Sequence, residues 1–393
     1  MYEVQPMRIM KKNVRVIFVL MIILALLTAC NPETAPGRTE GSDDFLNQSR
    51  GSCVSGYAGQ PTNATTKPQQ LTVMTHDSFS VSRDLIIAFE TANNATITFI
   101  KSGDTGSALN RLILTSATSE QPEADVFYGI DNTFLSRALD HQLFDPYQPA
   151  TLKKIPEVFK LDQHFNVVPI NYADVCINYD KAWFDEHDLP IPQTLNDLIN
   201  PIYKGLLVIE NPATSSPGLC FLMATIAELK EDTARNFWIS LKENDVVIAS
   251  DWETAYYTHF SGSSGKGHCP MVVSYATSPA AEWIYAETQL DESPTGSIVE
   301  PGMVWRQIEC AGILKNTPNR ALAELFIDFL LSKAFQEDIP LQMFVYPVLP
   351  EAALPPEFEL LTQAHDSYNT MNPSEIAENR DRWVNDWTEW MLD

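Results

Sequence analysis

The sequence predicts an α/β protein of two units, and three observations carry that prediction. From Leu71 to Leu139 the apolar residues alternate between strand-like and helix-like spacing, in the order β-α-β-α-β-α. From Val167 to Ser274 a second series of short apolar strands follows, again with helical stretches between them. The composition, 45% hydrophobic and 20% charged over 393 residues, is that of a folded chain long enough for two cores.

Taken in order, Leu71-Thr72-Val73-Met74-Thr75 reads as a strand ending at His76-Asp77-Ser78. Residues 83–92 place Leu85, Ile86 and Phe89 at helical spacing. Residues 95–100 are the second strand, 108–114 the next helix and 124–129 the third strand. That strand leads through Asp131-Asn132 into a helix holding Leu135 and Leu139. Such an order implies a parallel, doubly wound sheet, in which ligands bind beyond the carboxyl ends of the strands.

The second unit opens at 167–172, with strands at 175–178, 206–209, 246–249 and 271–274 and helices near 219–229 and 233–241. Residues 317–335 predict one helix, with Leu322, Leu325, Phe326, Phe329 and Leu330 on a single stripe and Pro318 in its first turn. A last helix has Asn372 as cap, Pro373 at its first position and Glu375 at capping-box spacing. On it Trp383, Trp387 and Trp390 form a stripe that reads as core.

Acidic residues number 51 against 26 basic ones, a formal net charge of −25. That balance argues against nucleic acid, whose phosphates call for a basic face. The N-terminus is the exception. Arg8, Lys11, Lys12 and Arg15 precede an unbroken apolar run from Val16 to Leu27. At about 1.5 Å per residue this run reaches roughly 18 Å, short of a hydrocarbon core of about 30 Å. Residues 1–29 therefore read as a signal peptide. Leu27-Thr28-Ala29-Cys30 resembles the lipobox of bacterial lipoproteins, which implies cleavage before Cys30 and lipidation of its thiol. Residues 30–69, rich in Gly, Ser, Pro and Thr, read as a flexible tether.

Five further cysteines, at 53, 176, 220, 269 and 310, are an odd number whose pairing the sequence does not assign. There is no CxxC, and the seven histidines lack metal-ligand spacing, so no metal site is expected.

Four loops place small polar residues between a strand end and a helix start: 103–107, 211–218, 251–253 and 274–279. The first-turn N–H groups of a helix lack intrahelical acceptors and carry partial positive charge, so such places hold a phosphate or another acceptor. Each loop taken alone reads first as an ordinary N-cap; their coincidence in one chain favours a ligand. Trp252 reads either as a flat face for an aromatic or cationic ligand or as a core or lid residue. Asp104 is placed to neutralise a positive group or to cap. Gly262-Ser263-Ser264-Gly265-Lys266-Gly267 is neither a GxSxG elbow nor a Walker A loop, and no nucleophile–base pair or carboxylate pair stands out.

Several stretches carry a family likeness: Leu71 through Phe79, Leu109-Asn110-Arg111-Leu112, Ala124-Asp125-Val126 with Gly129-Ile130-Asp131-Asn132, and Thr214-Ser215-Ser216-Pro217-Gly218-Leu219. Ser274 through Ala280, Ala334-Phe335-Gln336 and Tyr346-Pro347-Val348 continue it. From Leu71 onward the chain resembles the thiamine-binding subunits of bacterial ABC importers, within the class of two-lobed periplasmic solute-binding proteins. The resemblance implies a type II periplasmic-binding-protein-like α/β fold. Each lobe would be a mixed or parallel sheet flanked by helices, with the ligand in the cleft. Lobe 1 would take 70–168 and 308–340; lobe 2 would take 169–307 and 341–393. Crossing strands near 168–172 and 305–312 would act as the hinge.

Carried over residue by residue, the ligand contacts implied are Asp104 and Thr105, Ser215 and Ser216, Trp252, and Tyr275, Ala276, Thr277 and Ser278. Trp252 and Tyr275 would flank the pyrimidine and thiazolium rings, with Asp104 near the cationic groups. Ser215, Ser216, Thr277 and Ser278 would receive the hydroxyethyl or phosphate end. The pattern departs from the family at three places: His76 stands where a tyrosine is usual, Ala281 where an aromatic is, and Phe344 where a tryptophan is. His76 and Phe344 still count as wall positions.

The resemblance further implies a non-enzymatic receptor without cofactor, taking thiamine or its mono- or diphosphate. It would sit on a lipid anchor at the outer face of the cytoplasmic membrane and deliver ligand to a permease and its ATPase. Two alternatives stay open. One is the same fold holding iron, a polyamine or another small ion; a ferric site would want adjacent tyrosines, and the one such pair, Tyr256-Tyr257, falls in a predicted helix. The other is an extracytoplasmic phosphate-ester hydrolase.

Overall fold

In the computed structural model, which describes residues 67–393 apart from 265, 266, 287, 289 and 363–367, the first strand β1 (Gln69–Thr75) starts two residues before the expected one. The expected signal segment, Cys30, Cys53 and nearly all of the tether lie outside the described residues. β1 starts early because Gln69 and Gln70 pair with Ala95 and Thr96 of β2 (Ala95–Lys101), in parallel. Helix α1 (Arg83–Asn93) joins the two, and Asn94 ends it in the left-handed conformation with φ 44°. Helix α2 (Thr105–Ser116) then leads to β3 (Val126–Asp131), which pairs with the other edge of β1, also in parallel.

The parallel pairing expected for the first three strands holds, and the sheet becomes mixed at the next one. β3 is followed in the sheet by β10 (Trp305–Leu314), antiparallel to it and drawn from the far end of the chain. β10 pairs in turn with β5 (Val168–Asp180), from Trp305 opposite Val175 to Ala311 opposite Val168. Two strands expected at 167–172 and 175–178 are thus one strand of 13 residues. Ala173 and Asp174 do not interrupt it, because Asp174 is held by Arg306 of β10 through two bonds of 2.5 and 3.0 Å. Beyond β5 come β8 (Met271–Tyr275), β6 (Leu207–Glu210) and β7 (Val247–Ala249), giving the order β2-β1-β3-β10-β5-β8-β6-β7. The short strands β4 (Phe144–Asp145), β9 (Thr295–Ile298) and β11 (Tyr346–Pro347) pair with β10 or β5 off this path. The sheet is mixed, with helices packed on it.

The register of β10 shifts on both sides of Cys310, against β5 between Glu309 and Cys310 and against β3 between Cys310 and Ala311. Irregularities of this kind re-aim side chains, and here they fall beside Glu309.

The helix expected over 317–335 is two helices, Arg320–Leu330 and Lys333–Gln342, with Pro318 ahead of the first. Ser332 divides them, because its hydroxyl accepts from Phe335 N–H and caps the second helix. In the last helix, α10 (Pro373–Leu392), Asn372 is the cap as expected, but its side chain accepts from Ser374 and no capping box with Glu375 forms. Trp383 and Trp387 are buried, and the Trp387 ring meets Trp238 edge-on at 5.8 Å. Trp387→Ala should therefore cost about 3–5 kcal/mol, read as a lower denaturation midpoint at unchanged slope. Cys176, Cys220, Cys269 and Cys310 are all free and buried.

Candidate functional site

Three helix starts and one aromatic turn meet beyond the strand ends. Asp104 precedes α2 in extended backbone, the conformation of a cap, yet it makes no side-chain cap bond to its own helix. Its carboxylate reaches across instead and accepts the Trp252 N–H at 2.9 Å. Ser107 N–H, in the first turn of α2, donates to Thr214 O at 3.2 Å. This approach needs Gly106, since a Cβ there would lie 2.7 Å from Ala213 O and 2.8 Å from the Phe134 ring. Thr214 and Ser215 lead into helix α5 (Ser216–Leu229).

Trp252 is half-buried and opens an irregular turn, Thr254–His259, wound as a π-helix. Its indole N–H donates to Ser274 Oγ at 2.9 Å, its ring stacks on Tyr256 at 5.0 Å, and Tyr275 lies 6.1 Å away. Ser274 Oγ also meets Ser278 Oγ at 3.0 Å, at the start of helix α7 (Ser278–Ile284). Tyr256, of the adjacent tyrosine pair, donates its hydroxyl to Glu282. Among the described residues no group of three His, Cys, Asp or Glu is placed to hold a metal ion.

The remaining expected residues take varied places. Thr105 donates its hydroxyl to Gly129 O at 2.8 Å, and Ser216 donates to Asp131. Thr277 donates to Phe344 O, and the Ala276 main chain donates its N–H to Asp174 O at 2.8 Å and accepts from the Ser297 hydroxyl at 3.4 Å. Phe344 has φ 55°, unusual for so bulky a residue, with its ring 5.3 Å from Tyr285. Ser215 Oγ is buried without a full hydrogen bond, close enough to Asp104 to favour its ionised form. Direct contacts thus join Asp104, Trp252, Tyr275 and Ser278, directly or through Ser274, while the hydroxyls of Thr105, Ser216 and Thr277 are turned to protein acceptors.

Behind Tyr275 lies a polar network of which sequence reasoning named His76 and missed Gln307, Glu309 and Asn171. Tyr275 donates to Gln307 Oε1 at 3.2 Å, and Gln307 donates to Glu309 at 3.2 Å. Asn171 bonds Glu309 at 2.8 Å and Tyr128 at 2.6 Å, and His76 Nε2 lies 3.5 Å from Glu309. Two more carboxyl groups, Asp131 and Glu210, are fully enclosed. The available signal was a Gln or Glu inside an otherwise apolar strand: Gln307 and Glu309 in β10, and Glu210 at the end of Leu207-Val208-Ile209.

Burial raises Asp104 to about 6, against the Ser215 hydroxyl and Trp252 N–H that favour its charge. Burial alone would lower His76, but the charge and hydrogen bond of Glu309, helped by Asp104, raise it. Burial, then Asp104, lift Glu210 well above the carboxylate range. Groups raised on folding bind protons more tightly in the native state, so their contribution is present in acid and lost as pH rises. For Asp104 that loss runs from its ordinary value up to about 6, and for His76 it continues above 6.5. The ligand-free protein should accordingly melt at a higher temperature near pH ~5.5 than near pH ~7.5. A thermal scan across that window checks it; a flat or rising profile contradicts the assignment.

Residues 121–365 match the family described as bacterial extracellular solute-binding protein. The chain is 31% identical over 322 residues to the thiamine-binding periplasmic protein of Salmonella typhimurium, covering 81% of this chain and 92% of that one. It is 30% identical to the thiamine-binding periplasmic protein of Escherichia coli, with the same coverage. A solved structure described as a periplasmic thiamin binding protein superposes with a TM-score of 0.71 at 28% identity, covering 84% of this chain and 98% of its own. Its mixed sheet, the helix starts gathered beyond the strand ends, and these matches agree: the chain belongs to the bacterial extracellular solute-binding protein family and has a periplasmic-binding-protein-like fold.

Proposed function

We propose that this chain is the extracytoplasmic receptor of an ABC importer for thiamine, which it binds and releases unchanged. The observation that carries the reading is the buried Asp104 carboxylate bonded to the backbone of Trp252, with the indole and Tyr275 beside it. A flat, cationic heteroaromatic ligand is complementary to such a pair: the carboxylate offsets its charge, and stacking on the indole contributes roughly 0.5–2 kcal/mol. The relatives named as thiamine-binding periplasmic proteins support the same ligand.

In this reading, residues 70–168 with 308–340 and residues 169–307 with 341–393 act as two lobes that close on the ligand, turning on β5 and β10 where they cross. His76, Asp104, Thr105, Ser215, Ser216, Trp252, Tyr275, Ala276, Thr277, Ser278 and Phe344 form the cleft walls. Cys30 carries the lipid anchor, two or more acyl chains giving durable attachment to the membrane. The partners are a membrane permease and its ATPase.

Calorimetric titration of the full-length chain in mild detergent, freed of co-purifying ligand, tests this directly. Submicromolar thiamine affinity, with the vitamin recovered chemically intact, is the expected result. No heat and no tryptophan fluorescence change would remove thiamine from the assignment.

A further inference from the structure

We propose that Tyr256 and Glu282 are positioning residues for the ligand: they hold the Trp252 indole in one plane and leave a single face of it to be stacked upon. The inference rests on the thiamine reading and adds two residues to its site.

The turn that follows Trp252 is wound more widely than an α-helix, with Phe260 N–H bonded to Ala255 O five residues back at 3.0 Å. In so wide a turn the residues four and five positions on both come round to the starting one, and Tyr256 and Tyr257 do so. Their ring centroids lie 5.0 and 5.5 Å from that of Trp252 and 5.4 Å from each other. Tyr256 is inclined only 20° to the indole, whereas Tyr257 stands at 78° to the indole and 86° to Tyr256. Tyr256 therefore covers one face of the indole. Tyr257, almost equally distant from both rings, walls the side of the stack. Tyr256 is buried and Tyr257 exposed, so the open part of the half-buried indole is the face turned away from Tyr256.

Helix α7 fastens this stack. Ser278 and Glu282 stand four residues apart and so share one face of the helix. The Tyr256 hydroxyl donates to Glu282 Oε1 at 2.9 Å, and Ser278 lies close enough to act on the same hydroxyl. Ser278 Oγ meets Ser274 Oγ at 3.0 Å, and Ser274 Oγ accepts the indole N–H at 2.9 Å. The contacts close on themselves, from the indole through Ser274, Ser278 and Tyr256 back to the indole. With the Trp252 backbone N–H on Asp104 as well, the ring is fixed at its root, along one face and at its polar edge.

The fastening does not depend on charge. Burial raises Glu282 above the ordinary carboxylate range, against the Tyr256 and Ser263 hydroxyls that favour its ionised form. Ionised or protonated, it keeps an oxygen that accepts from Tyr256. A ring ordered before the ligand arrives spares the ligand the cost of ordering it, so losing the brace lowers affinity without removing any stacking surface.

Calorimetric titration of the full-length protein with thiamine tests the inference in a double-mutant cycle. Glu282→Ala should weaken binding about tenfold, and Glu282→Gln, which keeps an acceptor oxygen, should recover most of that loss. In a Trp252→Ala background, where no indole is left to hold, Glu282→Ala should cost less than about twofold. An equal loss in both backgrounds overturns the inference, since Glu282 would then act on the ligand without the indole. A loss in Glu282→Gln as large as in Glu282→Ala overturns it too, since the charge would be what matters. So does an unchanged affinity in Glu282→Ala. Melting curves establish that each variant folds; should Glu282→Ala not fold, Tyr256→Phe, which keeps the ring and removes the hydroxyl, is put through the same cycle with the same expected losses. If the unaltered protein does not bind thiamine, the receptor reading fails and the inference fails with it.

Discussion

Asp104→Asn is expected to weaken thiamine binding by about 100-fold while raising the stability of the ligand-free protein. The two effects have one origin. Near neutral pH the carboxylate, titrating at about 6, is mostly ionised although burial opposes its charge. An asparagine keeps an oxygen for the Trp252 N–H and removes the charge. Lifting that penalty should stabilise the empty protein by about 2 kcal/mol, a rise of several degrees in melting temperature. The same change removes the negative charge proposed to face a cationic ligand. Titration calorimetry and a thermal scan at neutral pH read both quantities on one sample. Loss of stability together with affinity would mean that Asp104 is structural; unchanged affinity would mean that the cation lies elsewhere.

Trp252→Ala should produce a loss of similar size, also about 100-fold, by a different route. The ring stacks on Tyr256, its N–H is tied to Ser274, and Ser274 is bonded to Ser278. Truncation removes the flat surface and frees Ser274, while the backbone N–H to Asp104 can remain. Trp252→Phe restores a ring without the N–H and should recover most of the lost affinity. If alanine costs less than about threefold, the indole is packing alone and the ligand stacks on another surface.

How far the sequence discloses this molecule depends on whether the information is local. The βαβαβ run from β1 to β3 is legible because each element carries its own apolar period and adjoins its neighbours. The place of β10 between β3 and β5 is not legible, because it depends on pairing between residues about 130 to 190 positions apart in the chain. Asp104 and Trp252 stand out in loops of suitable composition, and the structure joins them. Glu309 and Glu210 do not stand out, since a charge inside an apolar strand reads as an edge or a flaw until its neighbours are known. The hydroxyls of Thr105, Ser216 and Thr277 show the reverse: sequence identifies the donors, and only packing shows that each already has an acceptor.

The position of β10 also sets the order of events in the life of the chain. It is the strand that closes the gap between β3 and β5, yet it lies at residues 305–314 of 393. Neither flank of the sheet can complete its pairing until more than three quarters of the polypeptide exists. Long-range pairing is slow, and its apolar edges stay unsatisfied until the last partner arrives. A nascent chain of this kind cannot complete its sheet for most of its synthesis. Truncation upstream of Trp305 would leave both flanks of the sheet open at once.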